Sequence, residues 1–289
     1  MKPPVFDYHA PETVEGVIAL LRQYGADARV LSGGQSLVPM LNLRVLKPAA
    51  LIDLNRCPAL DYVRREGDWL AVGGMARQFD TMEHPLVRAL CPLVSLALEH
   101  AGPVAVRCRA TVGGTIAHAD RVAELPSVAM ALDAKMVIDG IHGSRTVDAR
   151  DFFQGDLSTA IMPGEFLREV RFPVCAPDSY ALFQEVSVRQ EGVAVVGLAT
   201  YMTRQADQLG SIALAAMGVD GQPLRLRQTQ ALVLERGLGA EGLIAAAVDC
   251  ARAEVEPSAD PYATAAYRRH VVGVLVQRAL QGAIDKGMQ

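Results

Sequence analysis

The chain has 289 residues, of which 51% are hydrophobic, 5% aromatic and 21% charged, and its formal net charge is −4. This composition is typical of a folded globular protein and excludes disordered and collagen-like chains. The slightly acidic balance, without a run of Lys or Arg, argues against nucleic acid or an anionic membrane surface as a partner, because both are bound by clustered basic groups.

The first eight residues lack the apolar core of a secretory signal, and the apolar stretches elsewhere are shorter than the roughly 20 residues of a membrane-spanning helix. We therefore expect a cytoplasmic protein. The cysteines are dispersed and form no C-x-x-C pair, which predicts free thiols and no zinc or iron–sulfur ligation by this chain. The five are Cys57, Cys91, Cys108, Cys175 and Cys250.

The first fifty residues predict a small β-α-β unit. Thr13 is the expected N-cap of a first helix, whose apolar residues recur at helical spacing until Gly25 ends it. A short strand over residues 29–31 then leads into a glycine pair, and residues 50–54 form another buried strand.

The middle of the chain predicts a hairpin, two helices and three further strands. The hairpin covers residues 62–65 and 69–72, because the Glu-Gly-Asp that joins these runs is a turn signal. The helices fall at residues 93–100 and near 127–132, and the strands at residues 134–139, 145–147 and 165–172.

A domain boundary is predicted near residues 172–178, where two prolines stop both a helix and a central strand. This gives one domain over residues 1–175 and another over residues 176–289. The second domain predicts strands at 179–188, 193–203 and 211–217, followed by helices at 228–236, 240–255 and 261–283. Strands followed by helices favour an α+β domain with its sheet covered on one face.

Two glycine pairs are the strongest local signals of a ligand site. Gly33-Gly34 is followed by Ser36, and Gly113-Gly114 by Thr115. Without Cβ atoms, backbone N–H groups can converge on an anion such as a pyrophosphate, and nearby hydroxyls add donors. Neither pair fits a P-loop, a Rossmann fingerprint or a nucleophile elbow. A single pair is more often only a tight turn, but two of like chemistry favour a ligand site.

No catalytic or metal-binding constellation is evident. The third glycine pair, at residues 73–74, lacks an early hydroxyl and is interpreted as structural. Residues 118–121 are best explained as an exposed polar loop, although they close the second glycine segment. Arg107 and Arg109 are interpreted as solvated or paired residues of a half-exposed strand. Such a chain can still be an oxidoreductase when a bound cofactor carries the chemistry.

The sequence around both glycine pairs matches two family motifs. Residues 31–39 read LSGGQSLVP, similar to A-G-G-[HQ]-S-L-[IV]-P, and residues 111–120 read TVGGTIAHAD, similar to T-[IV]-G-G-N-x-A-x-x-D. With weaker matches along nearly the whole chain, the sequence resembles the FAD-binding medium subunit of molybdenum-containing hydroxylases, the family of carbon monoxide dehydrogenase and xanthine dehydrogenase. Two motifs in order make this a specific resemblance.

The resemblance implies an α+β fold, with an FAD-binding domain of two α+β subdomains of the PCMH type, at about 1–55 and 56–175. A C-terminal domain with an antiparallel sheet and a helical layer follows. The two glycine segments are implied to hold the FAD pyrophosphate from two sides, through backbone N–H and hydroxyl donors. The implied cofactor contacts are Ser32, Gly33, Gly34, Gln35, Ser36, Leu37, Thr111, Gly113, Gly114 and Thr115, with Asp120 and Glu124 as candidates for the ribose or nearby polar groups.

The chain departs from the family motifs at a few positions. Thr115 replaces an asparagine, Arg121 a proline, and Glu124 the second aspartate. The flavin-facing segment corresponds to residues 189–194, where Val193 replaces an aromatic residue and so removes a stacking or shielding contact with the flavin.

The resemblance implies an electron-transfer subunit with no catalytic or metal-binding residue of its own. A large partner subunit would hold molybdenum–pterin and hydroxylate the substrate, an N-heteroaromatic compound being favoured. A small partner subunit would carry [2Fe–2S] clusters that pass electrons to FAD here and on to an external acceptor, in a dimer of heterotrimers. Two alternatives stay open: a stand-alone flavin oxidoreductase and a cofactor-free scaffold subunit.

Overall fold

The computed structural model describes residues 2–189, 192–205 and 208–288, and its N-terminal part forms a three-stranded parallel sheet of order β1-β3-β2. Helix α1 begins at the predicted cap, because the Thr13 hydroxyl accepts a hydrogen bond from Gly16 N at 3.1 Å. It ends at Gly25, whose φ is +54°. The elements are β1 (Asp7–His9), α1 (Val14–Tyr24), β2 (Ala28–Leu31), α2 (Leu37–Asn42) and β3 (Ala50–Asp53).

The predicted β-α-β unit is present. Val17 and Leu21 of α1 pack against Ile52 of β3, which matches the apolar spacing in the sequence. Strand β1 and helix α2 were not predicted. They are only three and six residues long, and such short elements carry little periodicity.

The central part of the chain forms a five-stranded antiparallel sheet of order β4-β5-β10-β6-β7, with most of its helices inserted between β5 and β6. The predicted hairpin is present as β4 and β5, which pair from Val63↔Val72 to Glu66↔Trp69. The strands are β4 (Val63–Glu66), β5 (Trp69–Gly73), β6 (Lys135–Gly140), β7 (Gly143–Asp148) and β10 (Glu165–Pro173), with a short hairpin of β8 (Phe153–Gly155) and β9 (Ser158–Thr159).

The helices of this part are more numerous than predicted. The second glycine segment is the first turn of a helix, α7, rather than an irregular loop. The helices are α3 (Gln78–Glu83), α4 (Pro85–Leu90), α5 (Pro92–Leu98), α6 (Val104–Arg107), α7 (Val112–His118), α8 (Glu124–Ala131) and α9 (Ala149–Phe152). Glycines lower helix propensity, and this hid α7 in the sequence.

The C-terminal part forms a four-stranded antiparallel sheet of order β11-β12-β13-β14 and three helices. The predicted strands and helices are present. They are β11 (Ser179–Ser187), β12 (Ala194–Gln205), β13 (Gln208–Met217), β14 (Leu224–Arg225), α10 (Arg227–Arg236), α11 (Leu243–Glu254) and α12 (Ala265–Asp285). The α+β class, with an antiparallel C-terminal sheet and a helical layer, is therefore confirmed.

This sheet is covered on both faces, whereas the sequence predicted one. Helix α12 packs on one face, and α5 and α8 of the preceding part pack on the other. The first seven residues of β12 are accordingly all buried. Phe183 and Met217 thus join the same apolar core as Leu98 of α5 and Val128 of α8. Among the described residues, no helix has the length and apolar character needed to cross a bilayer.

Candidate cofactor-binding site

A cleft of about 620 Å³ lies between the parallel sheet, the start of α7 and residues 157–167. This volume is typical of small-molecule and cofactor sites. Ten of the twelve predicted cofactor contacts line it, so the structure brings the two glycine segments together. The ten are Ser32, Gly33, Gly34, Gln35, Ser36, Leu37, Thr111, Gly113, Gly114 and Thr115.

The first glycine segment enters the cleft because it follows β2. Strands β2 and β3 are parallel, so their carboxyl ends lie at the same edge of the sheet, where open α/β sheets commonly bind ligands. The chain turns sharply at Gly34, whose φ of +77° is accessible to glycine without the penalty that a Cβ imposes. The following helix α2 then starts at Leu37.

Two of the glycines are required by packing between chain segments rather than by ligand contact. A Cβ on Gly33 would lie 2.3 Å from the carbonyl oxygen of Arg109, and a Cβ on Gly113 would lie 2.6 Å from the Cα of Gly74. A Cβ on Gly114 would lie 3.4 Å from the Cβ of Ser32. The missing side chains therefore let the two segments approach each other, and Gly74 has the structural role predicted for its pair.

The two segments offer different donors to the cleft. Within the described chain, the backbone N–H groups of Gly34, Gln35 and Ser36 donate to no other protein atom. By contrast, the N–H of Gly113 donates to Gly74 O at 3.2 Å, and that of Gly114 to the Thr111 hydroxyl at 2.9 Å. The first segment thus provides free backbone donors of the kind that form an anion-binding nest.

The second segment contributes a hydroxyl. Gln78 Nε2 donates to Thr115 Oγ1 at 2.7 Å, which leaves the proton of that hydroxyl available to a ligand. Gln78 is itself buried, and its backbone N–H donates to Ala110 O at 3.0 Å. Thr115, which replaces the family's asparagine, is therefore held in place by a second polar residue.

Asn55 and Arg77 connect the two glycine segments, and sequence reasoning missed both. Asn55 Nδ2 donates to Ser32 O at 2.9 Å, in the first segment. The Arg77 guanidinium donates to Asn55 Oδ1 and to Arg109 O, each at 2.6 Å, just before the second segment. Asn55 could have been predicted from the sequence, because Asn55 lies two residues after β3, at the sheet edge where β2 also ends.

Two of the predicted contacts, Asp120 and Glu124, do not line this cleft. Asp120 Oδ1 accepts the N–H of Val122 at 3.0 Å and so holds the turn after α7. Glu124 begins α8, where burial raises its pKa to about 8 and the nearby carboxylate of Glu185 adds to the shift. The Glu124 carboxyl is therefore largely protonated at neutral pH.

Arg121, which replaces the family's proline, reaches towards the C-terminal helices. Its guanidinium pairs with Asp260 at 2.8 Å and donates to the Ser258 hydroxyl at 2.7 Å. Asp260 also pairs with Arg268, which is buried in α12 and donates to Gly218 O at 2.9 Å. The turn after α7 is thereby fixed to the C-terminal part of the chain.

One charged side chain at the cleft, that of Glu165, has an ion-pair partner. Arg145 donates two hydrogen bonds to Glu165, which lowers the pKa of that carboxyl and keeps it ionised next to a cation. Arg29 and His118 also line the cleft.

The prediction of a half-exposed strand for Arg107 is wrong. Arg107 lies in α6, is 7% exposed, and donates a hydrogen bond to Gly102 O.

The flavin-facing segment predicted at residues 189–194 is described only in part. Gln190 and Glu191 lie outside the described residues. Val193 is 50% exposed, just before β12.

Comparison with known proteins covers nearly the whole chain. The family described as FAD binding domain in molybdopterin dehydrogenase matches residues 4–175, and the CO dehydrogenase flavoprotein C-terminal domain matches residues 181–283. The carbon monoxide dehydrogenase medium chain of Hydrogenophaga pseudoflava is 36% identical over 283 residues, which are 98% of each chain.

Solved structures agree in fold. A carbon monoxide dehydrogenase from Hydrogenophaga pseudoflava, lacking the Mo-pyranopterin moiety of its cofactor, superposes with a TM-score of 0.94 at 35% identity over 99% of both chains. The quinoline 2-oxidoreductase from Pseudomonas putida 86 superposes with a TM-score of 0.93 at 31% identity over 100% of both chains.

Proposed function

The chain belongs to the family of FAD binding domains in molybdopterin dehydrogenases, and from this premise we propose that it relays electrons through FAD between partner iron–sulfur clusters and an external acceptor. The predicted family, the oxidoreductase class and the FAD cofactor are confirmed by the family matches. When bound, FAD supplies the redox chemistry, and this chain supplies the binding site.

We propose that the cleft holds the FAD diphosphate between the two glycine segments. The observation that carries this proposal is the set of three free backbone donors at Gly34, Gln35 and Ser36, which line the same cleft as Thr115. Anionic oxygens accept such donors strongly, and the arrangement requires no lysine or P-loop. The residues present therefore fit the cofactor.

Asp120 and Glu124 are proposed to meet the ribose or nearby polar groups of FAD. They lie beyond the cleft lining, so this contact involves the turn after α7 rather than the glycine segments. Asp120 retains one carboxylate oxygen that the turn does not use. Glu124, largely protonated at neutral pH, is a hydrogen-bond donor as well as an acceptor.

The complex proposed around this chain has a large molybdopterin-binding subunit and a small [2Fe–2S] subunit, in a dimer of heterotrimers. Its support is the full-length similarity to a protein named as a medium chain. We further propose an N-heteroaromatic substrate, hydroxylated on the large subunit, because a full-length structural relative is a quinoline 2-oxidoreductase. Turnover assays of the complex with quinoline and with carbon monoxide distinguish these substrate classes.

We also propose two domains, one over residues 1–175 with subdomains at about 1–55 and 56–175, and one over residues 176–289. Support comes from the order of the sheets along the chain, because each sheet is built from one continuous section of sequence. Limited proteolysis that cuts near residues 174–178 would support this division, whereas a first cut within β10 or β11 would contradict it.

The cofactor site is tested by Gly34→Val, with Gly67→Val as a matched control. Both glycines have positive φ, +77° and +60°, but Gly67 lies in the hairpin turn between β4 and β5. A valine at position 34 reorients the three free donors, so we expect the purified variant to lose its flavin absorbance while the control keeps it. Full FAD occupancy in Gly34→Val would refute the proposed diphosphate site.

Purification from the native host separates the alternatives. A yellow chain that co-purifies with iron- and molybdenum-containing chains supports the electron-relay subunit. A yellow chain that turns over substrate alone indicates a stand-alone oxidoreductase, and a colourless chain that cannot be reconstituted with FAD indicates a scaffold.

A further inference from the structure

A second cavity, of about 400 Å³, lies where the end of β10 meets the four-stranded sheet. It shares no lining residue with the cofactor cleft. The half-buried thiol of Cys175 lines it, together with Tyr201 of β12, Arg225 of β14 and Asp133. Arg225 pairs with Asp133 at 3.0 Å, so a small polar molecule in this cavity meets a thiol and an ion pair.

Cys175 lies beside a second thiol. Cys175 and Cys91 each shift the pKa of the other, and Cys91 is fully buried between α4 and α5. The backbone is fixed at the same point, because Cys175 N donates to Leu90 O at 2.8 Å. The two cysteines are 84 positions apart in the sequence, so only the fold brings them together.

The surroundings give the two thiols different reactivity. The Tyr201 hydroxyl accepts the N–H of Ala176 at 2.9 Å, and Tyr201 and Cys175 line the same cavity. The hydrogen bond from Cys91, followed by that from Tyr201, lowers the pKa of Cys175, whereas burial raises the pKa of Cys91. Cys175, which lines the cavity and has the lowered pKa, is therefore the better placed of the two to attack a molecule there, and the buried Cys91 is the second thiol.

We propose that Cys175 and Cys91 form a redox-active dithiol that reduces hydrogen peroxide or a small organic hydroperoxide admitted by the second cavity. The Cys175 thiolate attacks the peroxide, so that an S–O bond forms, the O–O bond breaks, and the leaving oxygen takes up a proton as water or alcohol. The product at Cys175 is a sulfenic acid.

Cys91 then resolves this product. Its sulfur attacks Cys175, an S–S bond forms and the S–O bond breaks, and the departing hydroxyl leaves as water with the Cys91 proton. In sum, two thiols and one peroxide give one disulfide and two molecules of water, or water and alcohol for a hydroperoxide. The disulfide joins the start of α5 to the segment between β10 and β11, and a dithiol reductant reverses it.

Cys108 is an internal control in the native protein. Cys108 is exposed, whereas Cys175 is only half-buried, so accessibility alone predicts faster oxidation of Cys108. We expect the reverse: in the purified, FAD-containing chain treated with near-stoichiometric hydrogen peroxide, Cys175 loses its free thiol about tenfold faster than Cys108. Timed alkylation and peptide mass spectrometry measure both rates, and a linked peptide containing Cys91 and Cys175 appears with the loss of Cys175.

Three variants make the test specific. In Cys91→Ser the disulfide is absent and sulfenic acid accumulates at Cys175, where a dione reagent traps it. In Tyr201→Phe the oxidation of Cys175 slows by about threefold or more, because the thiolate loses a donor. Cys108→Ser leaves both the rate and the linkage unchanged. Melting curves of each variant verify that it is folded.

Equal or faster oxidation of Cys108 in the native protein would overturn the proposal. So would conversion of Cys175 to a sulfinic acid with no linked Cys91 peptide, since the buried thiol would then not act as the resolving group. Retention of FAD is not required for either readout, so failure here leaves the proposed cofactor site unaffected.

Discussion

Replacing Arg77 by methionine is expected to weaken FAD binding without a direct loss of any cofactor contact. The guanidinium joins Asn55, which holds the first glycine segment, to Arg109 O beside the second, through hydrogen bonds of 2.6 Å each. Methionine keeps much of the side-chain volume and removes both bonds. The spacing of the two segments, which the diphosphate must bridge, then depends on packing alone.

The magnitude follows from the bonds removed. A hydrogen bond that involves a charged group contributes about 1.5–3 kcal/mol. If one such contribution is lost from preorganisation of the site, the dissociation constant of FAD rises roughly 10- to 100-fold. Fluorescence titration of the apoprotein with FAD measures this dissociation constant. Asn55→Ala is expected to act in the same direction, and the double variant to be less than additive, because both side chains belong to one connection.

The matched control is Arg65→Met. Arg65 is an exposed arginine that donates to Gly67 O at 2.9 Å, within the hairpin turn. The Arg65→Met variant should bind FAD with the affinity of the native protein. An Arg77→Met protein that is folded by circular dichroism and binds FAD within about twofold of the native affinity would refute the bracing role, since twofold is well below the loss of one charged hydrogen bond.

Three further outcomes are expected. Gly113→Ala destabilises the fold by about 1–3 kcal/mol in urea unfolding, because its Cβ would lie 2.6 Å from Gly74 Cα; an unchanged midpoint would contradict the close approach of the two backbones. Glu124 has a folded-state pKa of about 8, above its ordinary 4.5, so its contribution to stability is fully present below pH 4.5 and is lost as the pH rises towards 8. Glu124→Gln should therefore flatten the fall in unfolding free energy over that range, and an identical slope in both proteins would count against burial of this carboxyl. Asp260→Asn leaves the buried Arg268 and its neighbour Arg121 without their carboxylate and should cost about 3–5 kcal/mol in thermal or urea unfolding; a loss below about 1 kcal/mol would show that water replaces the pair.

Much of the local structure could be read from neighbouring residues. The cap at Thr13, the stop at Gly25 and the hairpin around Gly67 depend on chemistry within a few positions, and each is present. Four of the helices between β5 and β6, namely α3, α4, α6 and α7, escaped prediction because they are only four to seven residues long and hold their positions by packing. Helix α7 is the clearest case, since its glycines oppose a helix locally while contacts with Gly74 and Thr111 stabilise it.

By itself, the sequence determined the family, the α+β class and the two segments that line one cleft, because motif spacing and short-range periodicity depend only on the order of nearby residues. The tertiary structure alone decided which atoms in those segments are free to bind, that Asn55 and Arg77 join them, and that Arg121 meets Asp260. It also decided that Cys175 lies beside Cys91. The physical reason is the same in each case: hydrogen bonds, ion pairs and thiol contacts act over a few ångströms, and only folding brings residues distant in sequence within that range.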